Sequence, residues 1–239
     1  MPATPLHAAP DNPLYEDFLA GSPDRAKVDR WHHYFDAYHH HFAPFRGKQP
    51  TVIEIGVQKG GSLAMWRNYF GEDANLFGID VDPACRDRVP AGAKVLIGDQ
   101  ADKDFLHSVL AETGAPDIVI DDGGHTARQQ INSFEVLYPA MKIPGVYFVE
   151  DTETAIWGGG YADDPQGRNF IGYATGLIRS LYDWTGDRQN FTMFSTPPEQ
   201  RPRPLPASHF CRTTDSICFY DSMIVFTRRD RPEPWRDDR

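Results

Sequence analysis

Residues 116–131 read PDIVIDDGGHTARQQI and set the pattern of the whole chain. The apolar run Ile118, Val119 and Ile120 is typical of a strand that is buried on both faces. Two acids, two glycines and a histidine follow without a spacer, and a segment of helical character comes next. A strand, a polar turn and a helix in this order predict one unit of a parallel α/β sheet.

The same unit recurs between residues 51 and 151. The predicted strands are TVIEIGV, NLFGIDVD, AKVLIGD, PDIVIDD and GVYFVED, and the predicted helices between them include SLAMWRNYF, DKDFLHSVLAET and ARQQINSFEVLYPAM. Near the C terminus, SICFYDSMIVFTRR predicts a long strand or a hairpin that closes the sheet in the antiparallel direction. The pattern therefore predicts an α/β, doubly wound Rossmann-like sheet that is mostly parallel, with right-handed crossovers.

Composition divides the chain into one domain with two tails. Residues 1–24 are rich in Pro, Ala and Asp and predict a flexible N-terminal arm, whereas residues 25–229 predict a single domain. Within it, residues 152–172 contain three consecutive glycines and predict a lid-like loop. Residues 230–239 are charged and predict a mobile C-terminal tail.

An N-terminal helix is predicted over residues 25–43, ending before Pro44. An aromatic stripe at helical spacing supports it, formed by Val28, Trp31, Phe35, Tyr38 and Phe42. The same segment contains His32, His33, His39, His40 and His41. Consecutive residues on one helix point in different directions, so a zinc site is not expected there.

Charge and cysteine content limit the function classes. The net charge is −10 and no Lys/Arg stripe interrupts it, which argues against a nucleic-acid partner but suits cationic ligands. No apolar run approaches the ~20 residues of a membrane span, so no membrane partner is expected. The three cysteines lack CxxC spacing, which favours a reducing cytoplasm and argues against a thiolate metal site.

Acidic residues follow the predicted strands: Asp80, Asp82, Asp99, Asp121, Asp122, Glu150 and Asp151. Parallel strands bring their carboxyl ends to one edge of the sheet, where clustered carboxylates repel one another unless a cation lies among them. Oxygen donors favour Mg²⁺ first, then Mn²⁺ or Ca²⁺. Asp82 and Asp99 could equally cap helices, and Asp121 points to the opposite side of its strand from Asp122.

The turn after the first strand predicts a nucleotide-type ligand. Gly56, Gly60 and Gly61 let the backbone approach a ligand at a helix start. The spacing is G-x-x-x-G-G rather than the G-x-G-x-x-G of dinucleotide-binding proteins, and it lacks the G-K-[ST] of a phosphate loop. A carboxylate at Asp80, after the second strand, can bind both ribose hydroxyls.

Taken together, these motifs resemble known families. EIGVQKGGS (54–62), GID (78–80) and GDQ (98–100) resemble the cofactor site of class I S-adenosylmethionine-dependent methyltransferases. IDDGGH (120–125) followed by ED (150–151) resembles the Mg²⁺-dependent sugar O-methyltransferases of the macrocin, mycinamicin and rhamnosyl type, and of methylmannose polysaccharide assembly. Catechol O-methyltransferases share the acid spacing but have a lysine in place of His125. The resemblance covers roughly residues 27–227.

This resemblance implies a role for each matching residue. Glu54, Gly56 and Ser62 would hold the methionine end of S-adenosylmethionine, Asp80 its ribose, and Asp99 and Gln100 its adenine. Asp122, Glu150 and Asp151 would bind Mg²⁺, and His125 would be the general base, which an imidazole pKa near ~6.5 suits. In the loop, Trp157 and Tyr161 are candidate stacking surfaces for a sugar, or they pack the loop onto the domain.

The function predicted from these observations is S-adenosylmethionine- and Mg²⁺-dependent methylation of a hydroxyl on a sugar or glycoside. A mannose or methylmannose oligosaccharide is one such acceptor. The alternatives are a catechol or phenolic acceptor on the same fold, a nicotinamide-dependent Rossmann oxidoreductase, and a non-catalytic cofactor-binding scaffold. Exposed aromatic residues near the N terminus also predict a homodimer.

Overall fold

A computed structural model of the chain describes residues 11–21 and 26–237. Its centre is a seven-stranded sheet in the order β3-β2-β1-β4-β5-β7-β6. The strands are β1 (Thr51–Ile55), β2 (Asn75–Asp80), β3 (Lys94–Ile97), β4 (Ile118–Asp121), β5 (Gly145–Val149), β6 (Thr214–Tyr220) and β7 (Met223–Arg228). The first five strands pair in parallel, and the β6–β7 hairpin adds to β5 in the antiparallel direction. The predicted Rossmann-like sheet is confirmed.

Helices connect the strands and cover both faces of the sheet. They are α1 (Pro13–Ala20), α2 (Tyr34–Phe42), α3 (Gly61–Phe70), α4 (Lys103–Thr113), α5 (Ala127–Ala140), α6 (Thr154–Trp157), α7 (Phe170–Leu177) and α8 (His209–Thr213). Short 3₁₀ helices span Ala43–Phe45, Pro83–Arg88, Gly159–Tyr161, Ile178–Tyr182, Arg188–Ser195 and Pro198–Gln200. Among these described helices, none has both the length and the apolar character needed to cross a membrane.

Alternating strand residues build two separate apolar cores. Val52 and Ile118 face the core that contains Trp66 of α3, together with residues of α1 and α2. Their neighbours Ile53 and Val119 face the opposite core, formed with α4, α5 and α7. The strands are therefore apolar along their length because both faces are covered, and the polar chemistry collects at the strand ends.

The N-terminal helix is shorter than the aromatic stripe predicts. Residue 25 lies outside the described residues, residues 26–33 form no helix, and α2 begins only at Tyr34. Trp31, one member of the stripe, is 57% exposed. The physical reason is Arg30, whose side chain turns inward to pair with acids at the sheet edge and so draws this segment out of helical register.

Part of the predicted flexible arm is folded against the core. Residues 1–10 and 22–24 lie outside the described residues, but Pro13–Ala20 forms α1. Asn12 caps this helix by accepting the N–H groups of Leu14 and Tyr15, and its side-chain amide donates to the Phe35 carbonyl at 2.9 Å. These bonds, with Leu14 fully buried, explain why the arm is anchored.

The predicted mobile tail also makes contacts. Residues 238 and 239 lie outside the described residues, but Glu233 pairs with Arg201 at 2.8 Å. The Arg236 N–H donates to the Phe194 carbonyl at 2.8 Å. Residues 230–237 therefore lie against the segment between α7 and α8. Trp184, Phe194 and Leu205 of this segment form a small core with Cys211 of α8.

Candidate active site

The register of the central strands places the acids that follow β4 and β5 at one edge of the sheet. Ile55 in β1 is level with Asp121 in β4, and Asp121 is level with Val149 in β5. The residues that follow β4 and β5, Asp122 and Glu150, therefore emerge side by side. The sequence prediction that these acids share an edge is confirmed.

His125 lies between two of the predicted metal ligands. Its Nε2 atom is 3.8 Å from Asp122 Oδ1 and 3.6 Å from Asp151 Oδ2. Both His125 and Asp151 adopt positive φ angles, 58° and 50°, a left-handed conformation uncommon outside glycine. Conformations of this kind cost energy and cluster at functional sites.

Two threonines hold His125 in this position. Thr126 forms a capping box with Gln129 at the start of α5, so the helix begins immediately after His125. Thr154, at the start of α6, donates its hydroxyl to the His125 carbonyl at 2.9 Å. The backbone of His125 is thus fixed from both the β4–α5 turn and the segment that follows β5.

Burial perturbs the titration of this cluster. Removal from water raises the pKa of Glu150 to about 7 and the pKa of Asp122 well above its ordinary range, although the Arg30 charge acts in the opposite direction. Burial lowers the pKa of His125 below its ordinary value, against the attraction of Asp151. The imidazole is therefore neutral near pH 7 and able to accept a proton.

The arrangement fits a divalent cation. Asp122, His125 and Asp151 each offer a ligand atom, and these atoms lie within 4.8 Å of one another. Buried carboxylates whose pKa values are raised gain most from an added positive charge, and oxygen-rich donor sets favour Mg²⁺ or Mn²⁺.

Glu150, the third predicted metal ligand, has other partners in this structure. Its Oε1 accepts a 2.6 Å hydrogen bond from the Tyr38 hydroxyl, and its Oε2 faces Arg30 Nε at 3.4 Å. It is therefore next to the Asp122–His125–Asp151 group rather than within it. Its role as a metal ligand stays a prediction.

The sequence analysis missed three residues that reach the acids from the N-terminal segment. Arg30 pairs with Glu54, Asp122 and Glu150. Tyr34 donates to Asp151 Oδ1 at 2.8 Å, one helical turn before Tyr38. The i, i+4 spacing of two tyrosines is the signal that could have suggested two hydroxyls on one helix face. No comparable pattern marks Arg30.

A cavity of about 330 Å³ adjoins this cluster, and we call it the acidic cavity. Its lining includes Gly56, Ser62, Asp122, His125 and Asp151. Ser62 donates to Glu54 Oε2 at 2.8 Å, which joins two residues predicted to hold the methionine end of the cofactor. Gly56 has φ +91°, and a Cβ atom there would lie 1.9 Å from the Asp122 carbonyl oxygen, so only glycine fits.

A neighbouring cavity of about 220 Å³, which we call the Asp80 cavity, shares Gly56 and Asp122 with the acidic cavity. Asp80 and Gln100, predicted to bind the ribose and the adenine, both line it. Asp99 does not line it; this exposed carboxylate accepts the Ala101 N–H at 2.8 Å.

Both predicted nucleoside contacts also have structural roles. Asp80 Oδ2 accepts the N–H groups of Val57 and Gln58, each at 2.9 Å. Burial opposes ionisation of Asp80, but the backbone N–H groups outweigh it and lower its pKa. Gln100 donates to Asp121 at 2.9 Å and accepts the Gly124 N–H at 2.9 Å. Their roles toward a cofactor stay predictions.

The predicted lid-like loop carries α6 and is tied to α5. Asp163 accepts the Thr126 hydroxyl at 2.9 Å and the Arg128 N–H at 2.8 Å. Trp157 is 62% exposed and meets Tyr161 edge-to-face at 5.4 Å, and neither residue lines the two cavities above. The pair is thus available at the surface, and its contact with a sugar stays a prediction.

The histidines of α2 have separate partners rather than a common centre. His39 Nδ1 is 2.7 Å from the Tyr69 hydroxyl, and His41 Nε2 is 3.0 Å from the Tyr220 hydroxyl. Each pair joins α2 to a different element.

Comparison with known proteins finds relatives that are named as O-methyltransferases. No protein-family model matches the chain. A 2'-O-methyltransferase of 8-demethyl-8-alpha-L-rhamnosyl tetracenomycin-C from Streptomyces olivaceus is 38% identical over 223 residues, which are 88% of this chain and 54% of the relative. The mycinamicin VI 2''-O-methyltransferase of Micromonospora griseorubida is 37% identical over 64% of this chain and 39% of the relative.

Among solved structures, the MycE methyltransferase of the mycinamycin biosynthetic pathway, in complex with Mg and SAH, matches with a TM-score of 0.70 and 26% identity. The match covers 95% of this chain and 55% of MycE. The chain spans about half the length of the tetracenomycin relative and of MycE.

Proposed function

As a homologue of sugar O-methyltransferases with their Rossmann-like fold, this chain is, we propose, an O-methyltransferase that transfers a methyl group from S-adenosylmethionine to a sugar hydroxyl with the help of Mg²⁺. One observation carries the proposal. Asp122, His125 and Asp151 converge at the strand ends beside a cavity that is lined by Gly56 and Ser62 of the predicted cofactor motif.

The acids and the imidazole would divide the chemistry between them. A divalent cation held by Asp122 and Asp151, with Glu150 as the third predicted ligand, would supply the Lewis acidity that lowers the pKa of an acceptor hydroxyl. The His125 imidazole is neutral near pH 7 and lies beside Asp122 and Asp151, so it would accept the hydroxyl proton. The resulting oxygen nucleophile would form a bond to the methyl carbon of S-adenosylmethionine as the sulfur–carbon bond breaks, and S-adenosylhomocysteine would leave.

The cofactor would be held from two sides. Gly56 lets the backbone approach the ligand, and the Ser62–Glu54 hydrogen bond fixes two polar groups of the same motif. Asp80, Gln100 and Asp99 are proposed for the nucleoside end. Positioning of donor and acceptor in one cavity contributes much of the rate in reactions of this type.

The acceptor is proposed to be a hydroxyl of a glycoside or oligosaccharide. The relatives are named for rhamnosyl tetracenomycin and mycinamicin acceptors. A mannose or methylmannose oligosaccharide belongs to the same chemical class. The exposed Trp157 and the half-buried Tyr161 beside it offer aromatic faces on which a sugar ring can stack.

We further propose a cytoplasmic protein that acts without a nucleic-acid partner and forms a homodimer. Free Cys85 and Cys211 are buried and unpaired by disulfides, which suits a reducing compartment. The net charge of −10 disfavours a polyanionic ligand. Exposed Trp31 and Leu19 in the N-terminal part are candidates for a subunit contact.

An acceptor screen tests the proposed function. Radiolabelled S-adenosylmethionine is incubated with rhamnosides, mannose oligosaccharides or catechol, with Mg²⁺ or with EDTA. We expect label on the glycosides only when Mg²⁺ is present. Full transfer in EDTA would remove the metal role, and transfer to catechol alone would move the acceptor class to phenols.

A further inference from the structure

Arg30 joins three carboxylates that come from three different strand ends. Its guanidinium contacts Glu54 at 2.9 Å and Glu150 at 3.4 Å, and it also pairs with Asp122. The Arg30 side chain is only 8% exposed. A buried arginine with three acidic partners is a substantial part of the charge balance of this site.

Two of these three partners are proposed ligands of the divalent cation. Asp122 gives Oδ2 to Arg30, while its Oδ1 faces His125. Both oxygens of Glu150 are committed, one to Tyr38 and one to Arg30. A cation that draws on Asp122 and Glu150 must therefore share or take over the oxygens that the guanidinium uses.

Electrostatics indicates that the positive charge of Arg30 weakens the binding of a divalent cation. A second positive charge in a buried cluster is repelled by the first, and the repulsion is stronger there than in water. Arg30 Nε makes no hydrogen bond and only faces Glu150 Oε2 at 3.4 Å, while the two Nη atoms donate to Glu54 at 2.9 Å and to the Asp29 carbonyl at 3.0 Å. The contact with Glu150 is therefore the weakest of these, and a cation that binds Glu150 displaces it first.

Arg30 also determines the position of the segment that precedes α2. Residues 26–31 form neither helix nor strand, and Lys27, Arg30 and Trp31 line the acidic cavity. The segment packs on the turn that follows β1 (residues 56–61), which we call the cofactor turn, since a Cβ atom on Gly61 would be 2.4 Å from the Ala26 carbonyl oxygen. The ion pairs of Arg30 therefore hold residues 26–31, which form one wall of the acidic cavity, in place.

We propose that Arg30 is an internal competitor of the divalent cation: guanidinium and ion exchange at Asp122 and Glu150, and binding of the ion releases the 26–31 segment from the cofactor turn. This inference rests on the proposed function, because it takes the proposed metal ligands as its starting point. Arg30 does not bind the ion. It lowers the affinity for the ion because it pairs with two of the proposed ligands, Asp122 and Glu150.

Equilibrium titration with Mn²⁺, without cofactor or acceptor, tests the competition. We expect Arg30→Gln to bind Mn²⁺ at least roughly tenfold more tightly than wild type, because the competing charge is gone. Arg30→Lys keeps the charge and should stay close to wild type. Lys27→Gln is the matched control, since Lys27 lies in the same segment, is exposed and forms none of these ion pairs.

The titration can overturn the proposal in two ways. Equal or weaker Mn²⁺ binding by Arg30→Gln, with circular dichroism and Tm showing a folded protein, would contradict competition. An equal gain in Lys27→Gln would reduce the effect to general surface charge. If Arg30→Gln fails to fold, the digestion of the wild type described below decides.

Limited trypsin digestion of the wild type tests the release of the segment. Arg30 is buried in its ion pairs, so cleavage after it requires that the side chain leave the acids. We expect Mn²⁺ to accelerate cleavage after Arg30, followed by mass spectrometry, while an added unstructured peptide is cut at the same rate in both conditions. A cleavage rate that Mn²⁺ leaves unchanged would contradict the release.

These readouts separate the inference from the proposed function. Tighter Mn²⁺ binding by Arg30→Gln in a protein that methylates no acceptor would support the competition and reject the function. Mg²⁺-dependent methyl transfer to glycosides, combined with no gain in Mn²⁺ affinity in Arg30→Gln, would do the opposite.

Discussion

The hydroxyl of Tyr38 donates a 2.6 Å hydrogen bond to Oε1 of Glu150, although 112 positions separate the two residues in the chain. One helical turn earlier, Tyr34 donates to Asp151 at 2.8 Å. Two hydroxyls on one face of α2 therefore hold two consecutive acids that follow β5. The N-terminal helix is part of the site because it orients these carboxylates.

Removal of the Tyr38 hydroxyl should weaken metal binding. In Tyr38→Phe, Glu150 loses a buried hydrogen-bond donor, and loss of such outer partners commonly costs about 10-fold or more in metal affinity. We also expect the free energy of unfolding to fall by about 1 kcal/mol. Mn²⁺ titration and urea unfolding measure the two effects.

Tyr34→Phe is the matched control, because Asp151 is 28% exposed and can replace the lost donor by water. Its Mn²⁺ affinity should change less. Wild-type affinity in Tyr38→Phe would show that Glu150 needs no support from α2.

Replacement of His125 by Asn should separate chemistry from binding. The imidazole is neutral and poised beside Asp122 and Asp151, so its loss removes the proton acceptor. We expect turnover to fall by roughly 10²–10⁴-fold, while the affinity for S-adenosylhomocysteine stays within about twofold of wild type. Steady-state kinetics and calorimetry measure these quantities. Near wild-type turnover would exclude His125 as the base.

Gly56→Ala should disturb the site and the fold together. The added methyl group would collide with the Asp122 backbone, and φ +91° disfavours any side chain there. We expect the free energy of unfolding to drop by more than about 2 kcal/mol and cofactor binding to weaken. Chemical unfolding and calorimetry measure both.

Gly176→Ala is the matched control for the loss of a glycine. Gly176 lies in α7, and no atom lies within 4 Å of the position that an added methyl group would take. Alanine there should therefore be neutral or stabilising by about 0.5 kcal/mol. A Gly56→Ala protein as stable as Gly176→Ala would contradict the close approach of the Gly56 turn to Asp122.

The pair of Asp164 and Arg168 should make the loop sensitive to acid. Hydrogen bonds from Arg168 lower the pKa of Asp164 to about 2. A depressed carboxylate pKa contributes stability that is present above the ordinary value of 3.8 and is lost as the pH falls through the folded value. The affected window therefore runs from about pH 4 down to about pH 2.

A double-mutant cycle of Asp164→Asn and Arg168→Gln measures this contribution. We expect each single variant to lower Tm at pH 7 and to flatten the decrease of Tm between pH 4 and pH 2, with little further effect in the double variant. Additive effects with an unchanged acid limb would show that the two side chains do not act as a pair.

The sheet and its acidic edge could be predicted from the sequence because their signals are local. Apolar runs that end in acids identify both the strands and their carboxyl ends, and parallel pairing brings Asp122 and Glu150 together. The period of two also predicted that the side chains of Asp121 and Asp122 point to opposite sides of the strand. Asp121 accepts a hydrogen bond from Gln100 and is not part of the Asp122–His125–Asp151 group. These features need no knowledge of tertiary contacts.

The contributions of the N-terminal segment could not be predicted because they depend on distant partners. Helical spacing placed Val28 and Trp31 in a helix, but the pull of the acids on Arg30 outweighs that local preference. Glu150 was likewise predicted to be a metal ligand from its position after a strand and from the family resemblance. Its hydrogen bond to Tyr38 depends on how α2 packs against the sheet, which the sequence pattern does not show. The spacing of Tyr34 and Tyr38 places their hydroxyls on one helix face but does not identify their partners, and no pattern marks Arg30.

The most direct test of the proposed centre is anomalous diffraction from crystals soaked in Mn²⁺. The structure predicts an anomalous peak about 2.2 Å from carboxylate oxygens of Asp122 and Asp151, and no such peak in crystals of Asp122→Asn. A Mn²⁺ peak only elsewhere, or none in wild-type crystals at saturating Mn²⁺, would contradict the claim that these acids form a divalent-cation site.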